Sequence, residues 1–109
     1  MIIYHKGLSQ ERWNNLSLYE QMANIGSEVG RAISWKEKNS HIAQSAFYRA
    51  LELIDLTAKD RKNIRRLKEV LRSREMFVDF FLYENVYKTD KIFWDKYFLA
   101  FNYLVRNKS

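Results

Sequence analysis

The chain has 109 residues, 47% of them hydrophobic, with 19 Lys/Arg against 13 Asp/Glu and a formal net charge of +6. That is one domain's length and enough apolar material to bury a core. The absence of cysteine excludes disulfides and thiolate metal sites and fits a reducing compartment.

Proline is absent and glycine occurs three times. A β-sandwich or barrel needs turn residues every 8–12 positions, so the elements here are expected to be long helices. The opening Met1-Ile2-Ile3-Tyr4-His5-Lys6 is too short and too polar for a signal peptide. No stretch approaches the roughly 20 apolar residues of a membrane span. The expectation is a cytoplasmic, all-α protein: an antiparallel four-helix bundle over residues 17–109 after a short N-terminal extension, residues 1–16.

Within that extension, Leu8 to Leu16 is expected to form one short helical turn that tucks Trp13 inward. The first long helix, 17–36, opens on Ser17 and Glu20, an S-x-x-E capping box in which each side chain satisfies the other's orphan N–H. Leu18, Met22, Ile25, Val29 and Ala32/Ile33 then recur at helical steps on one face.

The polar break Lys36–Ser40 leads to a second helix, 40–56, whose apolar set is Ile42, Ala43, Ala46, Phe47, Ala50, Leu51, Leu53 and Ile54. That set spans more than half the circumference, which predicts the most buried helix. Thr57 and Asp60 give the next cap signal. The third helix, 58–84, carries Ile64, Leu67, Leu71, Val78 and Phe81 as its seam; Thr89-Asp90 opens a fourth, 90–106, with Phe93, Trp94, Tyr97, Ala100, Phe101, Leu104 and Val105. Short loops make antiparallel neighbours the default.

Four constellations stand out. Arg61, Arg65, Lys68 and Arg72 fall at i, i+4, i+7 and i+11, with Lys62 and Arg66 beside them. On an α-helix they share one strip. Residues 57–75 hold eight Lys/Arg against three Asp/Glu, so most of the chain's excess positive charge sits on one element. Such a strip is suited to a row of phosphates, although a solvated helix face has the same pattern, and this one runs out into Glu75 and Asp79.

Arg74 occupies the heptad step missing from the third helix's seam. A buried guanidinium requires a carboxylate partner, and Glu28, Glu52 and Asp55 are the candidates for this buried polar pair. Gly26 and Gly30 lie in a line of small residues on the first helix. Each helical glycine costs about 1 kcal/mol relative to alanine, which predicts close backbone approach, to a neighbouring helix or to a second protomer. Eleven aromatic residues crowd into positions 77–103, too many for one small core, so some rings are expected at the surface, where they stack on bases or form a partner face.

No catalytic, metal or cofactor pattern emerges. The two histidines, His5 and His41, lack a ligand partner at helical spacing, and no nucleophile elbow is present.

The stretch Ala43-Gln44-Ser45-Ala46-Phe47-Tyr48-Arg49-Ala50-Leu51-Glu52-Leu53-Ile54-Asp55-Leu56, following a helix that ends in Trp35-Lys36, resembles the second helix of HEPN-type domains. The resemblance covers residues 20–56. It implies a small all-α bundle, often dimeric and in many cases an RNase or RNA-associated. Active members carry an arginine followed several residues later by a histidine on a late helix; Arg106-Asn107 begins something similar, but no histidine follows in Lys108-Ser109. The resemblance therefore implies an inactive member. Asn24-Ile25-Gly26-Ser27-Glu28-Val29 also looks like short bacterial helical proteins of unassigned role. The expectation is a non-enzymatic protein that binds RNA or another polyanion without a cofactor, with a homodimeric interaction module as the alternative and a degenerate HEPN-like ribonuclease as a third reading.

Overall fold

A computed structural model describes residues 8–108, the side chains of residues 102 and 104–108 excepted. His5 and the side chains of Leu104, Val105, Arg106 and Asn107 therefore lie outside the described residues. Among the described residues every regular element is helical: α1 (Gln10–Asn14), α2 (Leu18–Trp35), α3 (Ser40–Lys59), a 3-10 helix (Arg61–Arg66), α4 (Leu67–Leu82) and α5 (Lys91–Lys108).

The ends form where the side chains can satisfy them. The Ser17 hydroxyl accepts from the Glu20 N–H and the Glu20 carboxylate accepts from the Ser17 N–H, completing the expected capping box. Asn39 accepts from the backbone N–H groups of His41 and Ile42 and starts α3. Asp90 accepts from the Phe93 N–H at 2.8 Å, the position from which the fourth long helix was expected. After α4, Asn85 takes a left-handed conformation at φ 57°, which asparagine tolerates better than most residues. Its backbone N–H reaches back to the Asp79 carbonyl at 3.3 Å, and its side chain bridges to both backbone groups of Thr89.

Register follows from the cross-helix contacts. Glu28 faces Arg49 and Gln21 faces Asp60, so α2 and α3 run antiparallel. Phe47 stacks on Phe81 with ring centroids 4.4 Å apart while Asp55 meets Arg74, which sets α3 against α4 the same way. Gly26 approaches Phe98 and Phe77 meets Trp94 edge-on, placing α5 against both α2 and α4. Trp13, Met22, Ile25, Val29, Phe47, Leu53, Ile54, Val70, Phe77, Trp94, Phe98 and Phe101 make one continuous core. Helix α3 contributes the most buried residues to it among the described elements, as its broad apolar face requires.

Two expected seams hold in part: Val78 and Phe81 on α4, and Trp94, Tyr97 and Phe101 on α5, lie in or against the core, but other members are displaced. On α4 the buried line is Val70, Ser73 and Phe77, while Ile64 is 68% and Leu71 47% exposed. On α5 the buried rings are Trp94, Phe98 and Phe101, while Phe93 and Ala100 face outward. The 3-10 winding of residues 61–66 breaks the phase between Ile64 and α4; within α4 itself the face turned to the core is that of Val70, Ser73 and Phe77. The Thr57–Asp60 cap signal is also resolved differently. Thr57 lies inside α3 and donates to the Leu53 carbonyl at 2.8 Å. Asp60 alone caps the 3-10 helix, accepting from the Lys62 N–H.

Candidate nucleic-acid interface

The six cations of the expected strip are all exposed, but they do not form one line. Arg61, Lys62, Arg65 and Arg66 lie in the 3-10 helix, where 120° per residue turns Arg61 about a third of a turn from Arg65. Lys62 and Arg66 are already engaged. The Lys62 ammonium pairs with Asp60 and donates to the Asn14 carbonyl at 2.9 Å. The Arg66 guanidinium grips Glu69 through two donors at 2.9 and 2.6 Å, and that carboxylate raises its pKa further. Lys68 and Arg72 follow on α4, one above the other at i, i+4, directly after Arg65. Arg61, Arg65, Lys68 and Arg72 have no carboxylate within ion-pair distance among the described residues.

Beyond Arg72 the surface changes character. Leu71, Arg74, Glu75, Val78, Asp79, Tyr83, Val86 and Tyr87 line an open groove of about 490 Å³ between α4 and the segment that follows it. The segment is folded back by two bonds to α4. The Tyr87 hydroxyl donates to Glu75 Oε1 at 2.9 Å and the Tyr87 N–H to Asp79 Oδ2 at 3.1 Å. The bond to Glu75, foremost among the causes, raises the Tyr87 pKa.

Arg74 is not buried. It is half-exposed at the edge of α4, and the seam position beside it belongs to Ser73. Its Nε donates to Asp55 Oδ1 at 2.8 Å, with both side chains well solvated; a pair of that kind contributes at most about 1 kcal/mol. Glu28 is taken by Arg49 instead, at 3.4 Å and in a more buried setting. Glu52, half-buried on α3, has interactions of its own. The four residues grouped by sequence therefore divide between two separate pairs and a third partner set.

The two glycines also divide. A Cβ on Gly26 would stand 2.7 Å from Phe98 Cβ and 2.8 Å from its Cγ, so the glycine is what lets α5 close on α2. A Cβ on Gly30 would meet nothing within 4 Å among the described residues. Gly30 instead lines a groove of about 350 Å³ with Ser27, Asp95, Lys96 and the exposed Leu99.

A buried polar cluster was not anticipated. Gln21 is fully buried and donates to the Trp13 carbonyl at 3.0 Å and to Asp60 Oδ2 at 2.8 Å. Asn63 donates to Gln21 Oε1 at 2.8 Å and to the Thr57 carbonyl at 3.0 Å. The Trp13 indole donates to Thr57 Oγ1 at 2.9 Å. Burial alone would raise the Asp60 pKa, but hydrogen bonds from Lys62 and Gln21 outweigh it and hold the carboxyl below its ordinary value. Every member is satisfied within the chain, so the cluster joins α1, α2, α3 and the 3-10 helix and leaves no donor for a ligand. One signal was legible: a glutamine sits four residues before Ile25, on the apolar face of α2.

Across the aromatic layer the Tyr97 hydroxyl lies 3.4 Å from Glu69 Oε1. Burial, reinforced by that carboxylate, pushes its pKa up to about 12. His41 is exposed in the first turn of α3. Among the described residues no three His, Cys, Asp or Glu side chains are grouped to hold a metal ion, and no helix is long and apolar enough to cross a membrane.

Comparison with protein-family models, with curated proteins and with solved structures found no match. The HEPN-like reading therefore rests on the sequence pattern of residues 20–56 alone.

Proposed function

We propose that this chain is an antiparallel four-helix bundle that binds RNA, or another polyanion of similar charge density, without catalysing a reaction. Arg65, Lys68 and Arg72 form the contact row, Arg61 flanks it, and Lys62 and Arg66 serve mainly to hold the 3-10 turn and the start of α4. The observation that carries the reading is that these four cations are exposed and lack a carboxylate among the described residues. Their neighbours Lys62, Arg66 and Arg74 are each paired. An unpaired cation gives up no existing contact when it meets a phosphate. From Arg65 to Arg72 the row spans about 10 Å along the helix axis, the length of about three phosphates on one strand of a duplex.

Fluorescence anisotropy with a labelled single-stranded RNA at two salt concentrations tests this. Binding is expected to weaken as salt rises, and Arg65→Glu with Lys68→Glu to weaken it and flatten that dependence. A protein that binds no polyanion in a salt-sensitive way at low ionic strength rules the reading out.

Gly30 favours a second reading, self-association. A mid-helix glycine costs about 1 kcal/mol, and unlike Gly26 it has no neighbour among the described residues that requires it. The same face offers a projecting Leu99, 64% exposed, so the face carries both a knob and a hole, as a two-fold interface needs. A light-scattering mass that stays monomeric across concentration contradicts it.

A further inference from the structure

Resting on the polyanion reading, we propose that the ligand is a single-stranded nucleic acid, and that the groove beyond Arg72 takes one or two of its bases. The argument starts from the order of chemistry along α4. Arg65, Lys68 and Arg72 are exposed cations; the next residues along that edge, Glu75 and Asp79, are carboxylates. A phosphate backbone attracted along the row is therefore repelled where it ends. The groove that opens there is lined by the apolar and aromatic Leu71, Val78, Tyr83, Val86 and Tyr87 together with Arg74, held by Asp55, and the carboxylates Glu75 and Asp79.

What enters that groove from a chain of phosphates must be neutral, flat and apolar-faced. A nucleobase has those properties, and its ring stacks on tyrosine. Tyr83 and Val86 are each 72% exposed, so their apolar faces are open to a ligand. The groove is prepared for a ligand by the folded-back segment: Tyr87 is tied to Glu75 and Asp79, so one wall is fixed before binding and its two carboxylates are partly satisfied. The volume of about 490 Å³ lies within the range of small-molecule pockets. In a duplex the bases are stacked inside and their faces are unavailable to a side-chain platform, which is why the ligand is assigned as single-stranded.

Four probes separate the base groove from the charge row: a fluorescein-labelled 12-nucleotide single-stranded RNA of mixed sequence, the same sequence as a blunt duplex, inorganic polyphosphate, and poly-glutamate. The single strand is expected to bind about tenfold more tightly than the duplex, and to resist competition by polyphosphate or poly-glutamate at equal charge. Tyr83→Ala is expected to weaken single-strand binding about tenfold, a typical loss for one stacked base, and to leave polyphosphate binding unchanged. Tyr83→Phe is expected to retain it. Because Tyr83 is exposed and makes no side-chain hydrogen bond among the described residues, the thermal midpoint of Tyr83→Ala serves as the folding control. If all four anions bind alike and Tyr83→Ala changes nothing, the base groove is wrong while the polyanion reading stands. Poly-glutamate competing as well as RNA, charge for charge, also overturns the base groove and identifies an acidic peptide surface. If no probe binds in a salt-sensitive way, both fall together.

Discussion

Two sets of polar residues lie within sixteen positions of each other and do opposite things. Thr57, Asp60 and Asn63 are buried and fully hydrogen-bonded to Trp13, Gln21, Lys62 and the backbone. Arg65, Lys68 and Arg72 are exposed without a carboxylate partner among the described residues. The first set is used up in holding the chain reversal between α3 and α4. The second is held in place by that reversal but has no ion-pair partner among the described residues. The contrast teaches how to tell a polar group that maintains a structure from one that is available to a ligand: by whether its bonds are already made, not by how polar it is. Altering the first set should change stability and leave binding intact, and altering the second should do the reverse.

The largest expected effect is at Gln21. Gln21→Leu keeps the size but leaves the Trp13 carbonyl, Asp60 and Asn63 each short of a partner. A loss of about 2–4 kcal/mol is expected, from about 1–3 kcal/mol per buried group left unsatisfied; for a chain of this length that lowers the thermal midpoint by roughly 10–20 °C. Calorimetry or circular dichroism measures it, and RNA affinity of the folded protein should be unchanged. A midpoint within a degree or two of the parent would show that the cluster is not what holds this end.

Next is Gly26→Ala. The new Cβ would press on the base of the Phe98 side chain, which cannot swing away as a flexible tip would. Overpacking costs about 1–3 kcal/mol, partly offset by the better helix propensity of alanine. Gly30→Ala has open space and should instead stabilise by about 0.5–1 kcal/mol. If self-association occurs on that face, the same substitution should weaken it, so opposite signs in a melting curve and a light-scattering titration would sharpen the second reading.

Acid should act on the buried set alone. The Asp60 carboxyl is held below its ordinary pKa in the folded protein. Its contribution is therefore fully present above the unfolded value of about 3.9 and is lost as pH falls through the folded value. Urea titrations at descending pH should show this decline below about pH 4. Asp60→Asn should start less stable at neutral pH and converge on the parent in acid; parallel curves would mean that the carboxylate is not linked to folding. The smallest stability change is expected for Lys68→Gln with Arg72→Gln, within about 0.5 kcal/mol, although their effect on RNA affinity should be the clearest of the series.

Local rules account for several features, although the Thr57 cap signal lies inside α3 and no described neighbour approaches Gly30. The Ser17–Glu20 capping box needs only four residues, the broad apolar face of α3 needs only its own periodicity, and Gly26 announced a close approach that Phe98 supplies. The sequence misled where a feature depended on phase across a break. Ile64, Leu67, Leu71 and Val78 make a good heptad on paper, yet the 3-10 turn at Arg61–Arg66 takes Ile64 out of phase, and α4 turns Val70, Ser73 and Phe77 inward and not Arg74. The same turn splits the basic strip, setting Arg61 apart from Arg65. Asn63, inside that turn, bonds to Gln21 across 42 positions, a long-range contact that no local pattern contains. Of the candidate interface the sequence therefore showed the charge but not which cations were already paired, and it showed the tyrosines but not the groove they line.

The division between the two sets is tested most directly by the salt dependence of RNA binding in the parent and in the triple variant Arg65→Gln/Lys68→Gln/Arg72→Gln. Three phosphate contacts on a single strand predict a slope of about −2 in log K against log salt. The triple variant should melt at the parent temperature with a slope near zero. An unchanged slope in the variant, or a parent whose affinity does not respond to salt, would contradict the assignment of this edge.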